Sequence, residues 1–270
     1  MIYFTLRGGL ANMMFQIAAV NSIALSKNTH ASFGSMEQQL TYLDNETHFN
    51  PQLKHSSEYK NLTFFKNMLT EKAPPGIKVY SYPFHYDDIK IDGDTAILDG
   101  FFQSEKYFKK HEKEIREIFR PTEEIIKIIN EKYKYILKEK TTSIHVRRGD
   151  YVRNQVHHPV QTLDYYKKGI DILKKDTNKY IIFSDDIQWC KKTFQGDEFI
   201  FIENEKDYIE LYLMSMCDYN IIANSSFSWW GAWLNNNKNK VVIGPKNWLG
   251  IAYKNTFNTY DILPDEWIKI

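Results

Sequence analysis

The spacing of apolar positions changes twice along the chain. Residues 2–7 read as a short strand, Gly8 and Gly9 as a turn. Leu10, Met13, Met14, Ile17, Ala18, Ile23 and Ala24 then fall at helical spacing through Ser26. This is a strand, a glycine turn and a helix. Residues 28–75 are polar, aromatic and weakly periodic and end in "APPG", which predicts loops and short helices. "TAILDGFFQSEKYF" gives a second strand. A charged helix follows through "KYFKKHEKEIREIF", which Pro121 stops, and residues 122–139 give another amphipathic helix.

From Thr141 the rhythm becomes regular. Strands are predicted at "TTSIHVRR", "KYIIFSDD", "FIFIEN", "YNIIANS" and "KVVIGP". Helices alternate with them at "LDYYKKGIDILKK", "IQWCKKTF", "KDYIELYLMSMC" and "SFSWWGAWLN". Such alternation implies right-handed crossovers and parallel sheets covered on both faces, an α/β fold. Near-continuous apolar strands such as "YIIF" fit double-sided burial. The change of rhythm places a lobe boundary near residue 140. The expected lobes are 1–140 and 141–270, with the tail free to return to the N-terminal lobe.

Composition narrows the function. The chain has 270 residues, 43% hydrophobic and 26% charged, enough for one large domain or two lobes. The net charge of +1 offers no global field for nucleic acid or an anionic membrane, so an anion site must be local. No window approaches the ~18 to 20 apolar residues of a membrane span, which leaves peripheral contact as the only membrane association expected. The N-terminus lacks a secretory pattern, and Cys190 and Cys217 have neither metal spacing nor a disulfide framework. A reducing, cytoplasmic setting is expected. Sequons at Asn45, Asn61 and Asn224 are read as chance triplets.

Ligands of open parallel sheets bind beyond the carboxyl ends of strands. Here those ends carry Arg147, Arg148 and Asp150, then Ser184, Asp185 and Asp186, then Glu203 and Asn204, then Asn224, Ser225 and Ser226. A guanidinium is always charged, and its planar fork matches phosphate oxygens. Adjacent residues of a strand point to opposite faces. One arginine can reach a ligand while the other pairs with a carboxylate. Asp150 is suited to orienting an arginine or acting as a base. The plain alternative is a solvated turn with a surface ion pair. In "NSSFSWW" a helix start beside two hydroxyls is either an ordinary cap or an anion site. Trp229, Trp230 and Trp233 are expected in the core.

Asp185 and Asp186 in "FSDD" suit ribose or base recognition, or capping of the next helix; without a third ligand nearby, no metal site is expected. "RGGLANMMFQ" lacks the G-x-G-x-x-G spacing, and neither a Walker loop nor a G-x-S-x-G elbow occurs. Asn12 and Gln16 lie four apart on one helix face and suit either a polar stripe lining a cleft or one that faces solvent. His157 and His158 are read as loop histidines.

Taken in order, "LRGGLANMMFQIA", "GFFQSEKYF", "IHVRRGDYV", "IIFSDD..W" and "NSSFSWWGAWL" resemble the α-1,2-fucosyltransferases of glycosyltransferase family 11. The resemblance runs from about residue 5 to residue 245. It implies a GT-B-like architecture, two Rossmann-like lobes with parallel sheets facing across a cleft, GDP-fucose lying mainly on the C-terminal lobe. It implies inverting transfer of L-fucose to the 2-hydroxyl of a galactoside, with no metal and no cofactor besides the donor. The setting it suggests is polysaccharide or oligosaccharide assembly.

By that similarity His145, Arg147, Arg148 and Asp150 occupy the donor motif, with Arg147 on the pyrophosphate. Asp185 and Asp186 fall in a second motif. Asn224, Ser225, Ser226 and Phe227 fall in a third, near phosphate and nucleoside. Gly8, Gly9, Asn12 and Gln16 fall on the acceptor side, where Ala11 and Met13 depart from the usual Gly-Gly-Leu-Gly-Asn-Gln-Met-Phe-Gln. The expected catalytic groups are Arg147, Asp150 and His145, with Asp150 the leading base; His145 and a residue of the N-terminal lobe are the alternatives. Competing functions are a GT-B transferase using another nucleotide sugar and a non-catalytic glycan- or nucleotide-binding protein.

Overall fold

A computed structural model of the chain describes residues 1–34, 58–59, 62–253 and 256–270. Most of the 28–75 segment, and the sequons at Asn45 and Asn61, lie outside the described residues. The chain divides into two compact units, Met1–Pro121 with Phe257–Pro264, and Thr122–Thr256 with Asp265–Ile270.

The first unit begins with β1 (Ile2–Phe4) and α1 (Leu10–Ser26). β2 (Ala31–Phe33), the single-turn α2 (Thr63–Lys66), β3 (Val79–Ser81), β4 (Ala96–Asp99) and α3 (Glu112–Ile118) follow. Its strands lie in the order β2-β1-β4-β3, every pair parallel. The turn into α1 needs glycine at one position. Gly8 has φ +79°, and a Cβ there would sit 2.9 Å from the Asn12 Nδ2. α1 is buried on nearly every side, Met14, Phe15, Ala18, Ala19 and Val20 completely. A helix apolar all round belongs in a core. Ala11 and Met13, the two motif departures, are core residues, 5% and 2% exposed.

The second unit holds α4 (Glu123–Tyr133), β5 (Thr141–Val146), α5 (Leu163–Leu173), β6 (Lys179–Ser184) and α6 (Ile187–Thr193). β7 (Phe199–Phe201), α7 (Asp207–Ser215), β8 (Tyr219–Ile221), α8 (Ser226–Leu234), β9 (Val242–Gly244) and β10 (Ile268–Lys269) complete it. The strand order is β10-β9-β8-β5-β6-β7, again all parallel. β5 is buried along its whole length, its polar Thr141, Thr142, Ser143 and His145 included, as befits a central strand of a parallel sheet. Trp229, Trp230 and Trp233 are core residues. α8 lies tight on α7 at Gly231, where a Cβ would come within 2.9 Å of the Met214 Cβ.

The unit boundary falls at Pro121–Thr122, ahead of the residue 140 that the change of rhythm suggests. The reason is α4. Its Lys132 Nζ and Tyr133 hydroxyl both donate to Glu205 Oε2 at 2.8 Å, which ties the helix to the second unit. Of the tail, Phe257–Pro264 belongs to the first unit and Asp265–Ile270 to the second.

Candidate functional site

In the second sheet β6 and β7 lie on one side of β5, and β8 to β10 on the other. The strand order therefore reverses between β5 and β8, and open parallel sheets bind ligands at such a switch point. The residues just beyond β5 and β8 are Arg147–Asp150 and Asn224–Phe227.

Arg147 sits in a carboxylate clamp. Its Nη2 lies 2.7 Å from Asp150 Oδ1 and its Nη1 lies 3.2 Å from Asp185 Oδ2. Its guanidinium also packs 4.9 Å from the centre of the Tyr151 ring. Asp185 is the anchored partner, only 13% exposed, whereas Asp150 is 55% exposed. Asp185 also accepts the Arg148 N–H at 2.8 Å. Burial pushes the Asp185 carboxyl above its ordinary value, and Arg147 with the N–H groups of Arg148 and Gly149 pulls it back. The clamp leaves Arg147 Nε buried without a hydrogen-bond partner among the described residues.

Arg148 is turned to a different set of groups. Its Nε donates to Asp186 Oδ2 at 2.9 Å, and its guanidinium stacks 4.2 Å over the Trp189 ring. Asp186 also caps α6, accepting the Trp189 N–H at 3.2 Å. Ser184 ties the two strand ends together. Its hydroxyl donates to the Val146 carbonyl at 2.7 Å and accepts the Asp186 N–H at 2.9 Å.

His145 is 5% exposed, its ring 5.7 Å from that of Phe227. Burial, reinforced by the Arg147 charge, brings its pKa down to about 3, so the imidazole is neutral. Its Nδ1 has no hydrogen-bond partner among the described residues. Tyr151 reaches from the arginine loop to donate to the Asn224 carbonyl at 3.2 Å. Ser225 is the N-cap of α8, its hydroxyl accepting the Phe227 N–H at 3.3 Å. Ser226 and Phe227 are half-buried beside it.

Two expected ligand groups are committed elsewhere. The Asn224 side chain is buried; its amide donates to the Pro159 and Trp248 carbonyls at 3.0 Å, and its oxygen accepts from Gln161 at 2.9 Å. It pins two loops together, and its burial leaves the third sequon closed to modification. Gln16 is fully buried and accepts the Arg7 N–H at 2.9 Å while donating to the Arg7 carbonyl at 3.0 Å. It shapes the Arg7 turn rather than lining a cleft with Asn12. Asn12 instead accepts from the Gln103 amide at 2.8 Å. Of the two glycines, Gly8 makes the turn and Gly9 stands at the N-cap of α1.

The sequence reading gives Tyr151, Gln161 and Gln103 no site role, and Trp189 enters it only as the last position of "IIFSDD..W". Trp189 carried a usable signal, an aromatic one turn into a helix capped by an acid. His157 and His158 do lie in a loop, the first with Nδ1 2.6 Å from Asn154 Oδ1 and the second stacked on Tyr151. No group of three or more histidine, cysteine or acidic side chains that could hold a metal is present among the described residues.

Comparison with known proteins bears on the family and the fold. An Escherichia coli protein described as alpha-1,2-colitosyltransferase is 32% identical, covering 98% of this chain and 97% of its own. The Escherichia coli O-antigen biosynthesis glycosyltransferase WbnK is 30% identical over the full length of both. A Caenorhabditis elegans galactoside 2-alpha-L-fucosyltransferase is 28% identical, covering 64% of this chain and 52% of its own. Among solved structures, fucosyltransferase NodZ from Bradyrhizobium superposes with a TM-score of 0.51 at 12% identity, covering 86% of this chain and 91% of NodZ. POFUT1 in complex with GDP-fucose gives a TM-score of 0.50 at 11% identity, covering 86% and 93%. These likenesses concern fold alone, and with the two parallel α/β units they place the chain in the GT-B class. The model of Glycosyl transferase family 11 matches residues 1–270, the whole chain, and the chain belongs to that family.

Proposed function

We propose that the chain transfers L-fucose from GDP-fucose to the 2-hydroxyl of a galactoside within a glycan, with inversion, in the cytoplasm, and with no metal or other cofactor in the step. The second unit holds the donor and the first the acceptor. The observation that carries this reading is Arg147, fixed at the switch point of the second sheet by two carboxylates, its Nε buried and without a partner among the described residues.

The chemistry follows from that placement. As the acceptor oxygen forms its bond to the anomeric carbon, the bond from that carbon to the β-phosphate oxygen breaks. Its electron pair leaves with the phosphate. A preorganised guanidinium aimed at the departing oxygen stabilises this charge more in the transition state than in the ground state. Asp185, buried and held by backbone N–H groups, keeps the guanidinium in place. Asp150 is the partner that a diphosphate displaces at least cost, because it is half exposed. Once released, its carboxylate is the group proposed to take the acceptor proton. His145, neutral with its pKa near 3, is too weak a base for that task at neutral pH, so its place is beside the nucleotide with Phe227.

A second reading keeps the same machinery with a different GDP-linked deoxysugar, and the 32% identity to a colitosyltransferase favours it. Turnover of GDP-fucose with a panel of galactosides, with the product linkage read by NMR, tests the proposal. An α-1,2-fucoside supports it. Turnover of GDP-colitose alone selects the second reading, and binding of glycan and GDP without turnover leaves a non-catalytic protein.

A further inference from the structure

We propose that the carboxyl ends of β1 and β4 form a binding site for a neutral sugar ring, built from Arg7, Asp99 and Phe101 and backed by the Asn12–Gln103 amide pair. That this sugar is the acceptor rests on the transfer reading above; the site itself rests on the first unit alone.

The topology marks the place. β2 lies on one side of β1, while β4 and then β3 lie on the other, so the first sheet has its own switch point between β1 and β4. The register Phe4↔Leu98 brings the loops after these two strands side by side. There the Arg7 Nη2 lies 2.8 Å from Asp99 Oδ1, the two side chains 43% and 47% exposed. The same guanidinium stacks 4.8 Å over the Phe101 ring.

The backbone presents that ring at a cost. Phe102 is fully buried against Phe4, Tyr82 and Tyr107 yet has φ +53°, a region that bulky residues rarely enter. With Phe102 so held, Phe101 stays exposed and Gln103 reaches Asn12 at 2.8 Å. Strain of this kind collects at functional sites. Among the described residues nothing in the packing of the unit calls for an exposed ring beside an exposed ion pair, since such pairs add little to stability.

The chemistry fits a neutral pyranose. An aromatic face takes the C–H face of a sugar. A guanidinium fork and a carboxylate, each planar and each fixed by the other, offer donors and acceptors to adjacent hydroxyls. Because Arg7 and Asp99 cancel, a charged ligand would leave one of them opposed by a like charge.

The test uses the full chain without nucleotide. Saturation-transfer NMR with lactose and methyl β-galactoside is compared between the wild type, Phe101→Ala and Asp99→Asn, with circular dichroism as the folding control. Transfer to the galactosides is expected in the wild type and is expected to be lost in both variants. In steady-state kinetics Phe101→Ala should raise the acceptor KM by about tenfold, the loss of one aromatic contact, with the KM for GDP-fucose unchanged. Should Phe101→Ala fail to fold, Asp99→Asn carries the test, because it alters only a half-exposed side chain. Absence of saturation transfer in the wild type, or equal transfer and equal acceptor KM in folded variants, overturns the proposal. Saturation that depends on Phe101 in a protein that does not turn over GDP-fucose upholds the sugar site and sinks the transfer reading instead.

Discussion

Arg147 concentrates the proposed chemistry in one side chain, and its geometry makes the substitutions discriminating. Arg147→Ala should lower kcat by about 10²–10³, the range for loss of one preorganised charge-stabilising donor. Arg147→Lys should recover little, because an ammonium cannot satisfy Asp185 and two phosphate oxygens from one plane. Arg148→Lys should act more on stability than on kcat, since Arg148 is occupied by Asp186 and Trp189. Steady-state kinetics and melting curves separate these outcomes, and normal turnover in Arg147→Lys would end the assignment. His145 gives a test by pH. Its pKa is lowered in the folded state, so the unfolded chain binds the extra proton between 6.5 and about 3. The stability it contributes is therefore full above 6.5 and falls away as pH drops toward 3. Relative to His145→Gln, the wild type should lose about 1.4 kcal/mol per pH unit across that window, read by denaturant unfolding. Parallel curves for the two proteins would show that the imidazole titrates normally. At this scale the sequence reading located Arg147 correctly at a strand end, because strand ends follow from apolar runs. It does not foresee that the Gln16 and Asn224 side chains clamp backbone groups, because an amide looks the same in sequence whether it faces a ligand or a backbone.

The start of α8 is where an element, rather than a residue, meets the proposed donor. Nine residues from Ser226 to Leu234 align their N–H groups toward the end of β8, and this end favours an anion. The two serines divide the work. Ser225 spends its hydroxyl on the Phe227 N–H, so Ser225→Ala should cost about 1 kcal/mol of stability, the usual value of a lost cap. Ser226 lies outside that bond and is half-buried, so Ser226→Ala should weaken GDP binding, measured by calorimetry, with little change in melting temperature. Equal losses of stability and unchanged GDP affinity in both variants would make the whole segment a cap and nothing more. The long helices and strands are legible in the sequence because periodicity needs length, but α3 opens only at Glu112, after two 3-10 turns over Glu105–Tyr107 and Lys109–His111, and α4 ends at Tyr133, short of the expected 139. α1 begins and ends at Leu10 and Ser26 as its spacing predicts. β2, β3 and β10 were not legible. They are two or three residues long, and β3 is an edge strand with Val79 and Ser81 exposed, so no alternation accumulates.

On the proposed reading, two parallel sheets, each with its own switch point, divide the donor from the acceptor. Alternating strands and helices announced the second sheet. The order β10-β9-β8-β5-β6-β7 could not be read, since crossover handedness limits the choices but does not say on which side the chain leaves β5. That order decides which loops meet, and hence that the segment after β5 reaches the start of α8 through Tyr151 on the Asn224 carbonyl and His145 beside Phe227. It also bears on how the leaving diphosphate is neutralised. Two arginines here stand among Asp150, Asp185 and Asp186, and each guanidinium already holds a carboxylate. If a divalent ion carried the leaving charge, the acids would be its ligands and Arg147 would be a bystander. If Arg147 carries it, the acids are its supports. The two arrangements respond differently to chelation. On the proposed mechanism EDTA should leave most of the transfer rate intact, and added Mn²⁺ or Mg²⁺ should restore nothing further. Asp185→Asn should then lower kcat, because the guanidinium loses its buried anchor, and no divalent ion should rescue it. Loss of turnover on chelation with recovery on Mn²⁺, together with metal rescue of a weakened Asp185 variant, would transfer the role from Arg147 to a bound cation.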